Sequence, residues 1–219
     1  MSPNFYTFDW PQEDLQFIKE YLDSLDFNGE FVSWIDDVDP SCTPSECLDT
    51  NHWTFEAKHD KALFYRCHKF YNHPKSWEDK IFPLIAKMAR ERIKEYKDRD
   101  DLIIRTSALH LYPEDDGFMG WHTNQDVPCW RIFITYTEEE NKSYISYYDE
   151  EAKEEVRSYD KKGFTLRAFK IEEAPNLLRH SVFCQTKRWS LGFRLYEHLD
   201  EGDPFGRPPF NPKSRKNET

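Results

Sequence analysis

The residues of this chain best suited to chemistry lie between Tyr112 and Arg194. His122 and Asn124 stand two positions apart in the run GWHTN, and His180 follows 58 positions after His122. Residues i and i+2 of a strand share a face, so the side chains of His122 and Asn124 can meet one atom. Two imidazoles from separate strands, with one oxygen ligand beside the first, make a facial three-ligand site. Such a site leaves positions open and suits an Fe(II) ion that must also take a cosubstrate and O2. A structural zinc site closes its shell instead. Eight positions after His180 begins Arg188-Trp189-Ser190-Leu191-Gly192-Phe193-Arg194. On a strand Arg188, Ser190, Gly192 and Arg194 share one face. An arginine and a hydroxyl two apart make a fork for a carboxylate, and Gly192 leaves room beside it.

These side chains need a frame of strands. After Asp101 the chain breaks into eight short aromatic and β-branched runs, among them LIIRTSALHLY, CWRIFITYT, FTLRAFKI and WSLGFRLYEH, separated by clusters such as PEDDG and DKKG. Short strands at even spacing predict antiparallel sheets closed into a sandwich or barrel. Before them, residues 11–26 carry Leu15, Ile18, Tyr21, Leu22 and Leu25 at helical spacing. A second helix is expected from a cap at Ser76 to about Lys97, with short strand-like pieces (FVSWI, HWTFEA, ALFYRC) between the two. The expected fold is mainly β with flanking helices: a jelly roll with N-terminal helices packed on one sheet. The reading is one domain over residues 1–200, with a helical and mixed part at 1–100, a jelly-roll core at 101–198 and a tail at 201–219.

Composition narrows the rest. The chain has 219 residues and a net charge of −11, with 16% aromatics. Seven Trp, twelve Tyr and seventeen Phe supply a core and exclude wholesale disorder. The acidic balance disfavours nucleic acid as a partner. No run approaches a membrane span, and Met1–Trp10 holds neither a basic nor an apolar leader segment. Five cysteines without a CxxC pair predict free thiols in a reducing compartment, hence a cytoplasmic protein. Cys42, Cys47 and His52 do not have a standard zinc spacing.

Taken in order, Tyr112-Pro113, the loop EDDGFMG, His122-Thr-Asn124, His180 and Arg188-x-Ser190 resemble the iron(II)- and 2-oxoglutarate-dependent oxygenases, in particular their prolyl-hydroxylase-like branch. The likeness covers roughly residues 102–198. It implies a double-stranded β-helix, Fe(II) and 2-oxoglutarate as cofactors, and O2 as co-reactant. The reaction implied is hydroxylation of a substrate with release of succinate and CO2. Carried over by position, His122, Asn124 and His180 correspond to the metal ligands. Arg188 and Ser190 correspond to the clamp for the far carboxylate of 2-oxoglutarate. Tyr112 and Tyr136 are candidates to hydrogen-bond the cosubstrate, and Arg194 is a candidate to hold it near the metal.

Asn124 departs from the pattern, which has Asp there. An amide offers a carbonyl oxygen but no charge, so metal affinity without cosubstrate is expected to fall. Two other readings stay open: Asp126 supplies the carboxylate through a bulge, or the site is poor in metal. Halogenation is a lesser option, because Asn124 is too large to vacate a coordination position. The expected substrate is a protein or peptide side chain, or else a small metabolite. The alternative is a catalytically impaired member of the fold that binds 2-oxoglutarate or a partner. His52, His59, His68, His73 and His198 read as structural, His110 as structural or supporting, and Trp121 and Trp130 as core or as the walls of a substrate mouth.

Overall fold

A computed structural model describes residues 4–25, 32–35, 42–56, 64–70, 73–124, 128–172 and 176–196. Eleven strands and four α-helices are described. Strand β1 (Phe5–Phe8) precedes a 3-10 turn and helix α1 (Gln16–Asp23). Strand β2 (Val32–Ile35), helices α2 (Pro44–Leu48) and α3 (Trp53–Glu56), strand β3 (Tyr65–Phe70) and helix α4 (Lys75–Arg92) follow. The remaining strands are β4 (Ile103–Tyr112), β5 (Gly117–His122), β6 (Cys129–Thr137), β7 (Ser143–Asp149), β8 (Glu154–Tyr159), β9 (Gly163–Ile171), β10 (His180–Cys184) and β11 (Arg188–Tyr196).

All the pairings are antiparallel. One sheet runs β1-β9-β6-β11-β4-β3, with β2 on β3. The other runs β3-β5-β10-β7-β8. Strand β3 joins the two, because its C-terminal half pairs with β4 and its N-terminal half with β5. The result is a nearly closed double-stranded β-helix, the mainly β architecture expected from the even spacing of the runs.

Alternation along the strands explains the layers. On β6 and β11, Ile132, Ile134, Leu191 and Phe193 face a core shared with Ile18 and Leu22 of α1 and Trp77, Ile81, Ile85 and Met88 of α4. Full burial of each such side chain contributes about 1.5–3 kcal/mol. The opposite faces turn Tyr112, Phe133 and Phe169 toward Ile145, Tyr147 and Val182 of the second sheet. His122, His180 and Arg188 lie at this second layer.

Three local expectations are corrected. HWTFEA, read as strand-like, contains helix α3. Its aromatics are held by tertiary packing instead, since Phe55 stacks edge-on against Trp121 and Tyr148. Ser76 is not a cap: α4 starts on Pro74, whose backbone is fixed in the extended conformation that precedes a helix. The same helix ends at Ile93, and Lys94–Tyr96 forms a separate 3-10 turn. Among the described residues, no helix is long and apolar enough to cross a membrane. His59, Asp126, His198 and the tail at 201–219 lie outside the described residues.

Candidate functional site

His122 closes strand β5 and His180 opens strand β10, and the two are cross-strand partners. Their ring centroids lie 4.1 Å apart. The Nδ1 of His122 sits 2.9 Å from the Gly120 carbonyl, and that of His180 sits 3.1 Å from the Leu178 carbonyl. A carbonyl only accepts, so each ring donates through Nδ1–H and keeps its Nε2 lone pair. Burial pushes His122 down to about 4. Burial, and then the neighbouring His122, push His180 well below the ordinary value. Both imidazoles are therefore neutral near pH 7, the form that ligates a metal.

Asn124 reaches the pair by a route other than the expected one. Strand β5 stops at His122, so the shared-face argument does not apply. Asn124 instead adopts left-handed backbone, with φ 53°, a conformation that short polar side chains enter most readily. Its Nδ2 donates to the Nε2 of His180 at 2.8 Å. Turned end for end, the same amide would present its oxygen beside the Nε2 of His180. Among the described residues, no group of three or more His, Cys, Asp or Glu side chains converges to hold a metal. Two neutral imidazoles and an amide fit a divalent cation through their lone pairs, without a protein charge to match it.

Arg188 lies completely buried at the start of β11. Its Nε donates to Asp160 Oδ2 at 2.7 Å, while Nη1 and Nη2 are buried without a hydrogen-bond partner among the described residues. Asp160 also accepts from Arg167 Nη1 at 2.6 Å, Ser143 Oγ at 2.5 Å and Thr135 Oγ1 at 2.9 Å. Burial alone would raise the Asp160 carboxyl, but Arg188 and Arg167 hold it well below the usual carboxylate range. Two guanidinium groups against one carboxylate leave a surplus positive charge in a dry interior. Arg167 uses its Nε and Nη2 on Ser158, so the open donors are those of Arg188. A carboxylate is the group that two parallel N–H donors of one arginine accommodate.

Tyr112 pairs with Arg188 across β4 and β11, and the Arg188 guanidinium lies 5.3 Å from its ring centroid. Ser190 is buried one repeat along, opposite His110 and Thr135. His110 bridges the two centres. Burial pushes it down to about 3, with smaller contributions from Lys69, His122 and Arg188. His110 and Phe133 stay half-buried although their strands are central. Gly192 permits the close packing here, because a Cβ there would collide with Ser107 Oγ and Phe133 Cζ.

Of the remaining cosubstrate candidates, Tyr136 sits elsewhere and Arg194 lies toward the histidines. Tyr136 lies on the helix-facing side of β6 with Ile132 and Ile134, packed on Phe164 under Lys19, and donates to Glu138 at 2.6 Å. Period-2 alternation turns it away from Arg188. Arg194 shares the face of Arg188 but lies six residues along, about 20 Å. It is flanked by Arg131 and Arg105 on the adjacent strands, and its Nη1 donates to the Tyr196 hydroxyl. The Arg131 charge is felt at both histidines, so Arg194 belongs to the histidine end.

Sequence reasoning missed Asp160, Arg167 and Arg131. Asp160 reads as turn punctuation in YDKKG. The other two carried a usable signal: each is a charged residue inside an apolar strand, and such a residue is buried only with partners.

No protein-family profile matches the chain, and no curated protein matches it. Among solved structures, it is similar to a Pseudomonas putida prolyl-4-hydroxylase, with TM-score 0.57 and 11% identity over 90% of this chain and 95% of that one. It is also similar to a 2OG-Fe(II) oxygenase-family oxidoreductase from Burkholderia pseudomallei (TM-score 0.41, 14% identity, 64% and 62% covered). A third is a prolyl hydroxylase from Trichoplax adhaerens, in complex with a hypoxia inducible factor oxygen degradation domain peptide fragment (TM-score 0.45, 12% identity, 85% and 91% covered). At these identities the likeness is one of fold, and it rests on the first of the three.

Proposed function

We propose that this chain is an Fe(II)- and 2-oxoglutarate-dependent dioxygenase that hydroxylates a peptide side chain or a small molecule. The observation that carries the reading is the pair of partnerless Nη groups on buried Arg188, on the same layer as two neutral, facing histidines. On this reading His122 and His180 hold the metal through Nε2, and Asn124 turns its amide oxygen to it. Arg188 grips the far carboxylate of 2-oxoglutarate, with Ser190 and Tyr112 beside it. The metal and the diacid, when bound, would activate O2, which is the oxidant of both substrate and diacid. The protein orients the diacid between two fixed centres, excludes water with the Phe133 and Phe169 layer, and keeps both ligand rings deprotonated.

The test is succinate release from 2-oxoglutarate with Fe(II) and O2. Release above that of a His122→Ala control is expected, and release equal to the control refutes catalysis. A second reading is a catalytically impaired member of the fold that binds 2-oxoglutarate without turnover. The specific observation in its favour is the amide at Asn124, with no acidic side chain joining the two histidines among the described residues. That reading predicts 2-oxoglutarate binding that depends on Arg188, with no succinate.

A further inference from the structure

Resting on the reading of Arg188 as a carboxylate clamp, we propose that Asp160 is the positioning residue of that clamp and sets its preference for a single carboxylate. Asp160 follows β8 in the turn before β9, and its backbone is tied to β7 by a hydrogen bond from its N–H to the Ser143 carbonyl at 2.9 Å. Its side chain is fully buried. Both carboxylate oxygens are occupied twice: Oδ1 by Thr135 and Arg167, Oδ2 by Ser143 and Arg188. A carboxylate held from four other strands cannot rotate. It therefore fixes the Nε of Arg188, and with it the plane of the whole guanidinium, because the group is rigid and planar. The two Nη groups are left pointing along one direction without partners.

Charge makes the second half of the argument. Arg188 and Arg167 would together place two positive charges in the interior, and Asp160 cancels one. The remaining single charge matches one carboxylate. Asp160 does not touch that ligand on this account and acts through Arg188.

The experiment compares 2-oxoglutarate with 2-oxopentanoate, which keeps the metal-chelating end but lacks the far carboxylate. Dissociation constants are measured with Mn(II) in place of iron, for the wild type, Asp160→Asn and Ser143→Ala. The wild type is expected to prefer 2-oxoglutarate. Asp160→Asn is expected to lose that preference by tenfold or more, with 2-oxopentanoate and Mn(II) binding within about twofold of wild type. Ser143→Ala, which removes one of the four donors, is expected to lose it by a smaller factor, and it decides the question if Asp160→Asn does not fold. A role in stability alone would weaken both ligands together and leave the ratio unchanged. An unchanged ratio in the folded variants overturns the proposal. A wild type without preference overturns the clamp reading itself, and the proposal with it.

Discussion

Truncating Arg188 to Ala isolates the interaction on which ligand recognition is argued to depend. Nη1 and Nη2 of this side chain are buried without protein acceptors among the described residues, and a buried donor left unsatisfied costs about 1–3 kcal/mol. A carboxylate bound there recovers this cost and adds a charge-assisted pair. Removing one partner of a buried, hydrogen-bonded charge pair costs about 2–5 kcal/mol, which corresponds to a roughly 30- to 5,000-fold weaker dissociation constant at 25 °C. The assay is unfolding with and without 2-oxoglutarate in the presence of Mn(II). Ligand at about 100 times its dissociation constant stabilises by about 2.7 kcal/mol, and a hundredfold weaker constant reduces this to roughly 0.4 kcal/mol. For a domain of this size the wild-type shift in Tm is about 5–11 °C. Each variant is compared with its own ligand-free form, so the lost Arg188–Asp160 pair cancels. Arg188→Lys keeps the charge but not the fork, so it recovers only part of the shift. A wild-type shift in Arg188→Ala would refute the reasoning.

Asn124→Asp adds the anionic oxygen that the amide lacks, so Mn(II) binding without cosubstrate is expected to tighten by tenfold or more; calorimetry that gives unchanged or weaker binding removes Asn124 from the metal site. His110 is pushed down to about 3 in the fold from 6.5 in the unfolded chain. The folded state thus binds fewer protons, and metal-free stability falls as pH drops below about 6.5, by up to about 1.4 kcal/mol per pH unit for this group. His110→Gln should flatten that slope in denaturant titrations, and an identical slope would contradict the assignment. Gly192→Ala forces a Cβ against Ser107 and Phe133 and should cost about 1–3 kcal/mol of stability by denaturant unfolding; an unaffected midpoint would show that the packing around Gly192 yields.

The strands were legible because their side chains alternate: LIIRTSALHLY, CWRIFITYT and FTLRAFKI all recur as β4, β6 and β9. Helix α1 was legible from its apolar spacing. HWTFEA was not, because aromatic and β-branched residues favour strands, and only contacts with Trp121 and Tyr148 reveal its helix. Within the site, His122, His180 and Arg188 could be paired by spacing, since strand order in this architecture brings the ends of β5 and β10 together. The face of Tyr136 could not, because a one-residue offset reverses the side chain. Asn124 was assigned to the right neighbourhood on the wrong ground, as its approach depends on a left-handed backbone and not on strand periodicity. Asp160 was hidden by its setting: a charged residue in a turn reads as solvated until the fold brings two arginines to it.

The most direct measurement is an anaerobic titration of the protein with Fe(II) and 2-oxoglutarate, followed in the visible spectrum. The account predicts one weak absorption band of metal-chelated diacid that saturates at one equivalent of each and is lost in His122→Ala and His180→Ala. A band that survives in both variants, or no band in the wild type, would contradict it.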